Sequence, residues 1–376
     1  MLPAPITLSI IVPTYKEVEN IPHLIARLDQ VRTASGIDME LLLMDDNSKD
    51  GSAELVKKMD LPWVRLITRT TDRGLSPAVL DGLSRAQNRY LACMDADLSH
   101  PPEKLPAMIA ELQAGADFVV GSRFAAGGTT DDDWGLFRWL NSRVATLLAL
   151  PLCNIKDPMS GFFVMERDTF RRGTDFSPVG YKIGLELLLK CRCRKVVEVP
   201  IHFSDRQFGQ SKLSLKEQIK YLKHIRRLYI FKYGTWSHFV QFAAVGFSGV
   251  VVNLAVVTIV LHTVRPFAAA IVSTIQFTQS DLAYLLGIGV SMITNFILNR
   301  RYSFSYARSH SALRQFFGFI AACGIGAVIQ YFVTRCAAHY VSTKEVAVIP
   351  GVAAGMIFNF LAARFLVFKQ QHIKPK

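Results

Sequence analysis

Short apolar runs alternate with amphipathic stretches through the first 120 residues. The runs are 7–12 (TLSIIV), 40–44 (ELLLM), 63–67 (WVRLI), 90–94 (YLACM) and 117–121 (DFVVG). Between them lie 20–34, 50–59, 75–87 and 103–113, where apolar positions recur at helical spacing. Strand and helix alternating at this spacing predict an α/β fold, a mostly parallel sheet with helices on both faces. Ligands of such sheets sit beyond the carboxyl ends of the strands. Further along, 134–150 predicts an amphipathic helix, 157–168 a turn and then a strand, 184–191 a helix and 196–203 a strand. The polar, glycine-containing stretch 204–213 predicts a mobile loop.

The pattern then changes. From Ser214 to Lys232 the apolar residues Leu215, Ile219, Leu222, Ile225 and Tyr229 keep helical spacing, opposite Lys216, Lys220, Lys223 and Arg227. A basic amphipathic helix here suits an anionic membrane surface, although an ordinary solvated helix has the same pattern. Four runs long enough to span a bilayer follow, at about 239–261, 282–299, 315–338 and 346–367. The apolar stretch 266–280, broken by Pro266 and polar residues, reads as interfacial. NFILNRRYSF (295–304) and NFLAARFLVF (359–368) share N-F-x-x-x-R-x-x-x-F at the ends of spans two and four, and QFAAVG and QFFGFI open spans one and three. That repetition predicts two helical hairpins of one duplicated unit.

Charge follows the same division. Residues 236–376 hold 11 Lys and Arg against 2 Asp and Glu, and so carry +9 of the net +13. Basic and apolar together point to a membrane domain with cationic loops and away from nucleic-acid binding. Arg300, Arg301, Arg308 and Arg314 lie between spans two and three, and Lys369, Lys374 and Lys376 follow span four. The other loops hold Arg265 and Lys344, with Arg335 near a span end. The positive-inside rule therefore predicts that both termini and the N-terminal domain are cytoplasmic. The six scattered cysteines match no zinc pattern and suit reduced structural thiols.

Three motifs fall at predicted strand ends: PTYKE, DDNSKDG and DADLSH. In PTYKE, Tyr15 can stack on a base and Glu17 can accept from ribose hydroxyls or base amines. Asp46 of DDNSKDG can hydrogen-bond a ribose or base, although Asp-Asn-Ser-x-Asp-Gly also caps a helix. Asp95 and Asp97 are one residue apart at a strand end, so alternation aims them the same way and a divalent cation holding a diphosphate would stabilise the pair. Arg123 of GSRF stands where a guanidinium meets a phosphate. Arg138, Arg206 and Lys212 are further cations, each by itself readable as a surface charge; Arg206 and Lys212 gain weight from the loop they share. His100, before two prolines, reads as a turn residue rather than a general base.

Pro13-x-Tyr15-x-Glu17, Asp45-Asp46-Asn47-Ser48, Asp95-Ala96-Asp97, HPPE (100–103), GSRF (121–124), DPMSGFF (157–163), GYKIGLELLLK (180–190), VEVPIHF (197–203) and GQSK (209–212) together resemble polyprenol-phosphate mannosyltransferases. These are dolichol-phosphate-mannose synthase-like members of the family-2 glycosyltransferases with a GT-A fold. The resemblance runs over residues 5–233, and the last 140 residues are similar to a GtrA-like four-span domain. It implies a GT-A domain at 1–213, an interfacial helix or linker at 214–235 and a membrane domain at 236–370. It further implies that Pro13, Tyr15, Glu17 and Asp46 hold guanosine, with Ala96 lining the nucleotide-sugar site. Asp95 and Asp97 would bind the Mg²⁺ or Mn²⁺ that bridges the diphosphate. Arg123 and Arg138 would face the acceptor lipid phosphate, and Arg206 and Lys212 would neutralise the diphosphate from a loop that closes over the donor. One departure stands out: Ser99, the third residue expected at the metal, occupies the place where the family commonly has a metal-ligating Gln, and its shorter hydroxyl would ligate weakly or through water.

The reaction so implied is transfer of mannose from GDP-mannose to a polyprenyl phosphate, with inversion, at the cytoplasmic face of a membrane. Another donor such as UDP-glucose is an alternative that motifs do not resolve. A processive polysaccharide synthase would carry Q-x-x-R-W, and FRW at 137–139 lacks the Gln. A lipid-carrier translocator or scaffold is the reading from outside enzymology, opposed by the complete DAD and GSR motifs and Lys212.

Overall fold

The computed structural model describes residues 5–131, 136–177, 179–180, 182–204, 215–266, 268–272, 275–308, 310–340 and 344–369. The chain divides into two compact units, Met1–Lys232 and Tyr233–Lys376.

The first unit opens with β1 (Thr7–Thr14), α1 (Asn20–Ser35), β2 (Asp38–Asp45), α2 (Ser52–Met59), β3 (Val64–Thr68), α3 (Leu75–Arg85), β4 (Tyr90–Cys93), α4 (Leu105–Gln113) and β5 (Phe118–Ser122). It continues with β6 (Thr129–Thr130), α5 (Leu136–Ala149), β7 (Phe163–Glu166), α6 (Arg167–Arg171), α7 (Ile183–Lys190), β8 (Val196–Pro200), β9 (His202–Phe203) and α8 (Leu215–Tyr233). A seven-stranded sheet runs β3-β2-β1-β4-β7-β5-β8. All its neighbours are parallel except β7, which is antiparallel to both β4 and β5. The predicted single strand 196–203 is two: β8 joins the main sheet, while β9 leaves it to pair with β6.

Alternation along the strands builds a core on each face. Ile10, Val12, Leu41 and Leu43 pack with Leu24 and Leu28 of α1 and Met108 of α4. Ile11, Leu42 and Met44 face the other way, onto a cluster with Val79 and Leu83 of α3, Leu185 and Leu188 of α7, and Ile225 and Leu228 of α8. Burial on both faces explains the continuous apolar runs. The reversed β7 matters for the site. Phe163 pairs with Cys93 and Val120, so β7 enters the sheet at its carboxyl edge and lays residues 157–162 beside the ends of β4 and β5.

The amphipathic helix α8 is divided between two environments. Tyr221 and Tyr229 donate their hydroxyls to the Ala145 and Leu148 carbonyls of α5, and Lys232 donates to those of Pro151 and Leu152. Ile225 and Leu228 are buried, whereas Ile219, Leu222 and Phe231 stay exposed. On α5, Leu140, Val144 and Leu147 are exposed as well.

The second unit holds α9 (Thr235–Thr263), an unforeseen antiparallel hairpin of β10 (Ala268–Val272) and β11 (Ile275–Thr278), α10 (Gln279–Leu298), α11 (Ala312–Ala337) and α12 (Lys344–Ala362). Among the described residues four helices are long and apolar enough to cross a membrane: Thr235–Thr263, Gln279–Ser303, Ala312–Ala337 and Val348–Val367. The repeated motif ends each hairpin in one way. At Asn299–Ser303 and Ala363–Val367 the helix widens to i→i+5 bonding, closed by Phe304 N–H to Asn299 O at 2.8 Å and Phe368 N–H to Ala363 O at 2.7 Å. Phe304 and Phe368 then stack at 4.9 Å. The first residue of each motif, Asn295 or Asn359, lies against Gly249 or Gly326 of the facing helix, where any Cβ would collide with it.

Candidate active site

Three turns meet at the carboxyl edge of the sheet, after β1, β2 and β4. Each carries non-glycine residues in the left-handed region: Lys16 (φ 61°), Asn47 (φ 59°) and Lys49 (φ 53°), and Leu98 (φ 62°). Such conformations persist where neighbours over-determine them. Here the neighbours are hydrogen bonds, most of them to side chains. Lys16 N–H donates to Ser48 Oγ at 2.9 Å, Ser48 N–H and its hydroxyl to Asp45, Val18 N–H to Asp50 at 3.2 Å, and Asp46 N–H to Thr14 O at 3.1 Å. Asp45 and Asp50 thus hold the turns, whereas α2 itself starts after Gly51 without the side-chain cap expected of DDNSKDG.

Asp46 is buried and already engaged. One carboxylate oxygen accepts from Arg69 Nη1 and the other from Gly74 N–H at 2.6 Å. Gly74 has φ 138°, which a residue with a Cβ rarely adopts. Arg69 is itself buried and also donates to Asp81 Oδ2 and Asp72 O. At the rim Tyr15 is exposed, with Lys16 and Arg73 over its ring at 5.7 and 5.4 Å. Glu17 accepts from Asn20 Nδ2 at 2.6 Å. Pro13 is the penultimate residue of β1.

The aspartate pair departs from its expected geometry. β4 ends at Cys93, so Asp95, Ala96 and Asp97 lie in the turn beyond it and strand alternation does not orient them. Their environments differ: the Asp95 side chain is 33% exposed, whereas Asp97 is a buried residue. Asp97 Oδ1 accepts the Ser99 hydroxyl at 2.6 Å and the Ser99 N–H at 3.2 Å. Asp95 N–H donates to His100 Nδ1 at 3.0 Å, and the buried His100 ring stacks on Phe162. That bond requires an unprotonated Nδ1. Burial also pushes the His100 pKa down, against the raising pull of Asp95 and Asp97. His100 is therefore a neutral brace for the turn. The open Asp95 carboxylate beside the sheltered Asp97 suits a hard cation whose other ligands come from a nucleotide diphosphate. Among the described residues no group of three His, Cys, Asp or Glu side chains converges to complete such a site from protein alone.

Arg123 sits at the end of β5 as expected, but in a tight frame. Its Nε and Nη2 donate to Asp157 Oδ2 and Oδ1, both at 2.8 Å, and its N–H adds a third bond at 3.1 Å. Phe124 and Phe203 lie 5.2 and 5.3 Å from the guanidinium carbon. The Arg123 side chain is 11% exposed and that of Asp157 not at all. Burial alone would raise the Asp157 pKa, but the Arg123 bonds and charge hold it below the usual carboxylate range. Gly161, on the same segment, brings its backbone up to Asp95: a Cβ there would stand 3.6 Å from Oδ1. Lys182, just before α7, donates its Nζ to Met159 O at 2.7 Å. Burial first and the Arg123 charge second pull its pKa down to about 8, with Asp157 and Asp95 opposing.

The structure thus brings Pro13, Tyr15, Glu17, Asp46, Asp95, Ala96, Asp97, Ser99 and Arg123 to one edge of the sheet. Arg138 belongs to α5, but its side chain, like Arg206 and Lys212, lies outside the described residues. Sequence reasoning missed Arg69, Arg73, Asp157 and Lys182. For Asp157 and Lys182 the signal was at hand, since DPMSGFF and GYKIGLELLLK had both been singled out as motifs.

Comparison with known proteins agrees with this division. Residues 9–174 match the Glycosyl transferase family 2 domain, and residues 241–368 match the GtrA/DPMS transmembrane domain. A dolichol-phosphate mannosyltransferase of Pyrococcus furiosus is 34% identical over 330 residues, covering 86% of this chain and 89% of the relative. Those of Saccharomyces cerevisiae and Mycosarcoma maydis are 42% and 40% identical over 236 residues, 60% of this chain and 88% and 80% of the relatives.

Proposed function

The chain belongs to the dolichol-phosphate mannosyltransferases, membrane glycosyltransferases with a family-2 domain of GT-A type, and from that membership we propose that it transfers mannose from GDP-mannose to a polyprenyl phosphate at the cytoplasmic face of its membrane. The observation that carries the proposal is the clustering of an Asp95–Asp97 turn, a stackable Tyr15 and a cationic floor at the carboxyl edge of one sheet.

Asp95 and Asp97 would hold the Mg²⁺ or Mn²⁺, with Ser99 steadying Asp97 through its hydroxyl. When bound, that ion supplies positive charge against the diphosphate as it leaves. Tyr15 and Arg73 offer a face for the base, and Glu17 an acceptor for ribose hydroxyls. Arg206 and Lys212 are assigned to the diphosphate, and Arg138 with Arg123 to the acceptor, by family resemblance.

A phosphate monoester loses its second proton near pH 6, so the acceptor needs no general base at neutral pH. This agrees with His100, whose ring nitrogen is spent on the Asp95 N–H. The acceptor oxygen attacks the anomeric carbon as the bond to the GDP β-phosphate oxygen breaks. The electron pair departs with GDP and the configuration inverts. The residues contribute position and fixed charge. The exposed apolar side chains of α5 and α8, and the basic loops expected on one side of the membrane, support a lipid-facing orientation of the site.

Purified full-length protein supplied with radiolabelled GDP-mannose and dolichyl or undecaprenyl phosphate should yield a lipid-soluble product only with Mn²⁺ or Mg²⁺. UDP-glucose should yield none. Equal incorporation from UDP-glucose, or none from GDP-mannose, refutes the donor assignment.

A further inference from the structure

We propose that Arg364, at the end of the fourth membrane helix, binds the phosphate of a membrane lipid. The duplicated unit supplies the comparison. Arg300 and Arg364 hold the same place in the repeated N-F-x-x-x-R-x-x-x-F motif. Arg300 is engaged by the protein. Its Nε donates to Gln315 Oε1 at 2.8 Å, and its Nη2 to the carbonyls of Arg308 at 2.9 Å and His310 at 3.1 Å. Gln315 opens the third span, and its counterpart at the opening of the first is Gln241. Gln241 donates instead to Ser237 Oγ at 3.0 Å, and no hydrogen bond or ion pair joins Arg364 to any described residue. Arg364 Nη1 is nonetheless shut away from solvent. A charged donor buried without an acceptor is unfavourable, and a ligand oxygen removes that cost.

Charge and place identify the ligand. Residues 236–376 hold two carboxylates, Asp281 and Glu345, near the starts of α10 and α12. About 28 Å of helix separates them from Arg300 and Arg364 at the other ends. What Arg364 faces is aromatic: the Phe365 ring lies 5.5 Å from its guanidinium carbon, and its charge acts on the Tyr306 hydroxyl. Both groups are neutral at pH 7, so neither cancels the cation. Tyr306, half-buried against His238 and Phe304, offers a second donor for a phosphate oxygen. The start of α9 and the end of α12 meet here, with Phe239 and Phe242 on Phe360 at 5.1 and 5.7 Å. Phe365 and Leu366 beside the arginine are exposed, where acyl chains would lie. A basic pocket among spans at the cationic end of a membrane domain suits a lipid headgroup, and an arginine fork matches phosphate oxygens.

The test uses the full-length protein, delipidated in detergent and titrated under native mass spectrometry. The probes are phosphatidylglycerol, undecaprenyl phosphate and inorganic phosphate. Arg364→Met is compared with Arg314→Met, which removes an exposed arginine near the start of α11. Loss of one charge-assisted bond predicts that Arg364→Met weakens the tightest-bound lipid by about 10- to 100-fold. Arg314→Met should stay within about twofold, and inorganic phosphate should bind far more weakly than either lipid. A loss confined to phosphatidylglycerol supports a site for bilayer lipid, and one confined to undecaprenyl phosphate supports a site for polyprenyl phosphate. Lipid affinity unchanged in Arg364→Met, an equal loss in Arg314→Met, or inorganic phosphate bound as tightly as lipid overturns the proposal. If Arg364→Met does not fold, the wild type decides: hydrogen exchange at 304–310 slowed by added lipid supports the site, and unchanged exchange refutes it. The result is independent of the sugar donor and of the transfer reaction.

Discussion

Arg123→Ala is expected to act on the fold before it acts on catalysis. The arginine closes a fork on Asp157 with two 2.8 Å bonds, and the carboxylate it faces is fully buried. Removing one partner of such a pair strands an uncompensated charge and costs about 3–5 kcal/mol. For a unit of this size that lowers the melting temperature by about 6–20 °C. Asp157→Asn in the Arg123→Ala background removes the stranded charge and should recover more than half of the loss. The sign of the pH dependence is fixed by the same pair. With Arg123 present the Asp157 pKa is depressed, so its stabilisation is complete above the unfolded value of about 3.9 and fades as pH falls through the folded value. Without the guanidinium, burial is the largest influence, opposed by the N–H of residue 123 and the Lys182 charge, and the pKa is expected to rise. The variant then takes up a proton on folding, and its deficit should narrow between pH 8 and pH 5. Pulse proteolysis of the full-length protein in urea, reading the catalytic unit on a gel, gives all four corners of the cycle. A coupling energy below about 0.5 kcal/mol, or a deficit that widens toward pH 5, would falsify the argument.

Three further outcomes follow from the site. Asp97→Asn should abolish Mn²⁺-dependent GDP binding in calorimetry while leaving the melting temperature within a few degrees; retained binding removes Asp97 from the metal site. Ser99→Gln should lower the Mn²⁺ concentration for half-maximal turnover, because a longer amide carbonyl reaches an ion that a serine already bonded to Asp97 at 2.6 Å does not; an unchanged or higher concentration contradicts this. Arg69→Met leaves the buried Asp46 carboxylate with the Gly74 N–H and is expected to destabilise the catalytic unit by about 3–5 kcal/mol, with a raised KM for the donor. Stability within about 1 kcal/mol of wild type would mean that Asp46 is solvated in solution.

What the sequence made legible was what short-range pattern encodes. The apolar runs gave β1 to β5 because a sheet covered on both faces tolerates little else, and the helical repeat in 295–304 and 359–368 marked two helix ends that the structure closes in one way. Candidate site residues were picked at strand ends because a parallel sheet puts its ligands there, and the fold gathers those it describes at one edge. The pairings were hidden. Asp157 reaches Arg123 across 34 positions, Arg69 reaches Asp46 across 23 and Lys182 reaches Met159 across 23. The first depends on β7 entering the sheet backwards between β4 and β5, a topology no local periodicity records. Its consequence for function is specific. Arg123 was read as a phosphate ligand from its place at a strand end and as an acceptor ligand from the family resemblance, and in the fold its charge is answered by Asp157. Reading a site from motifs therefore finds the charges and misses their cancellation, because the partner that answers a charge comes from another element of the fold.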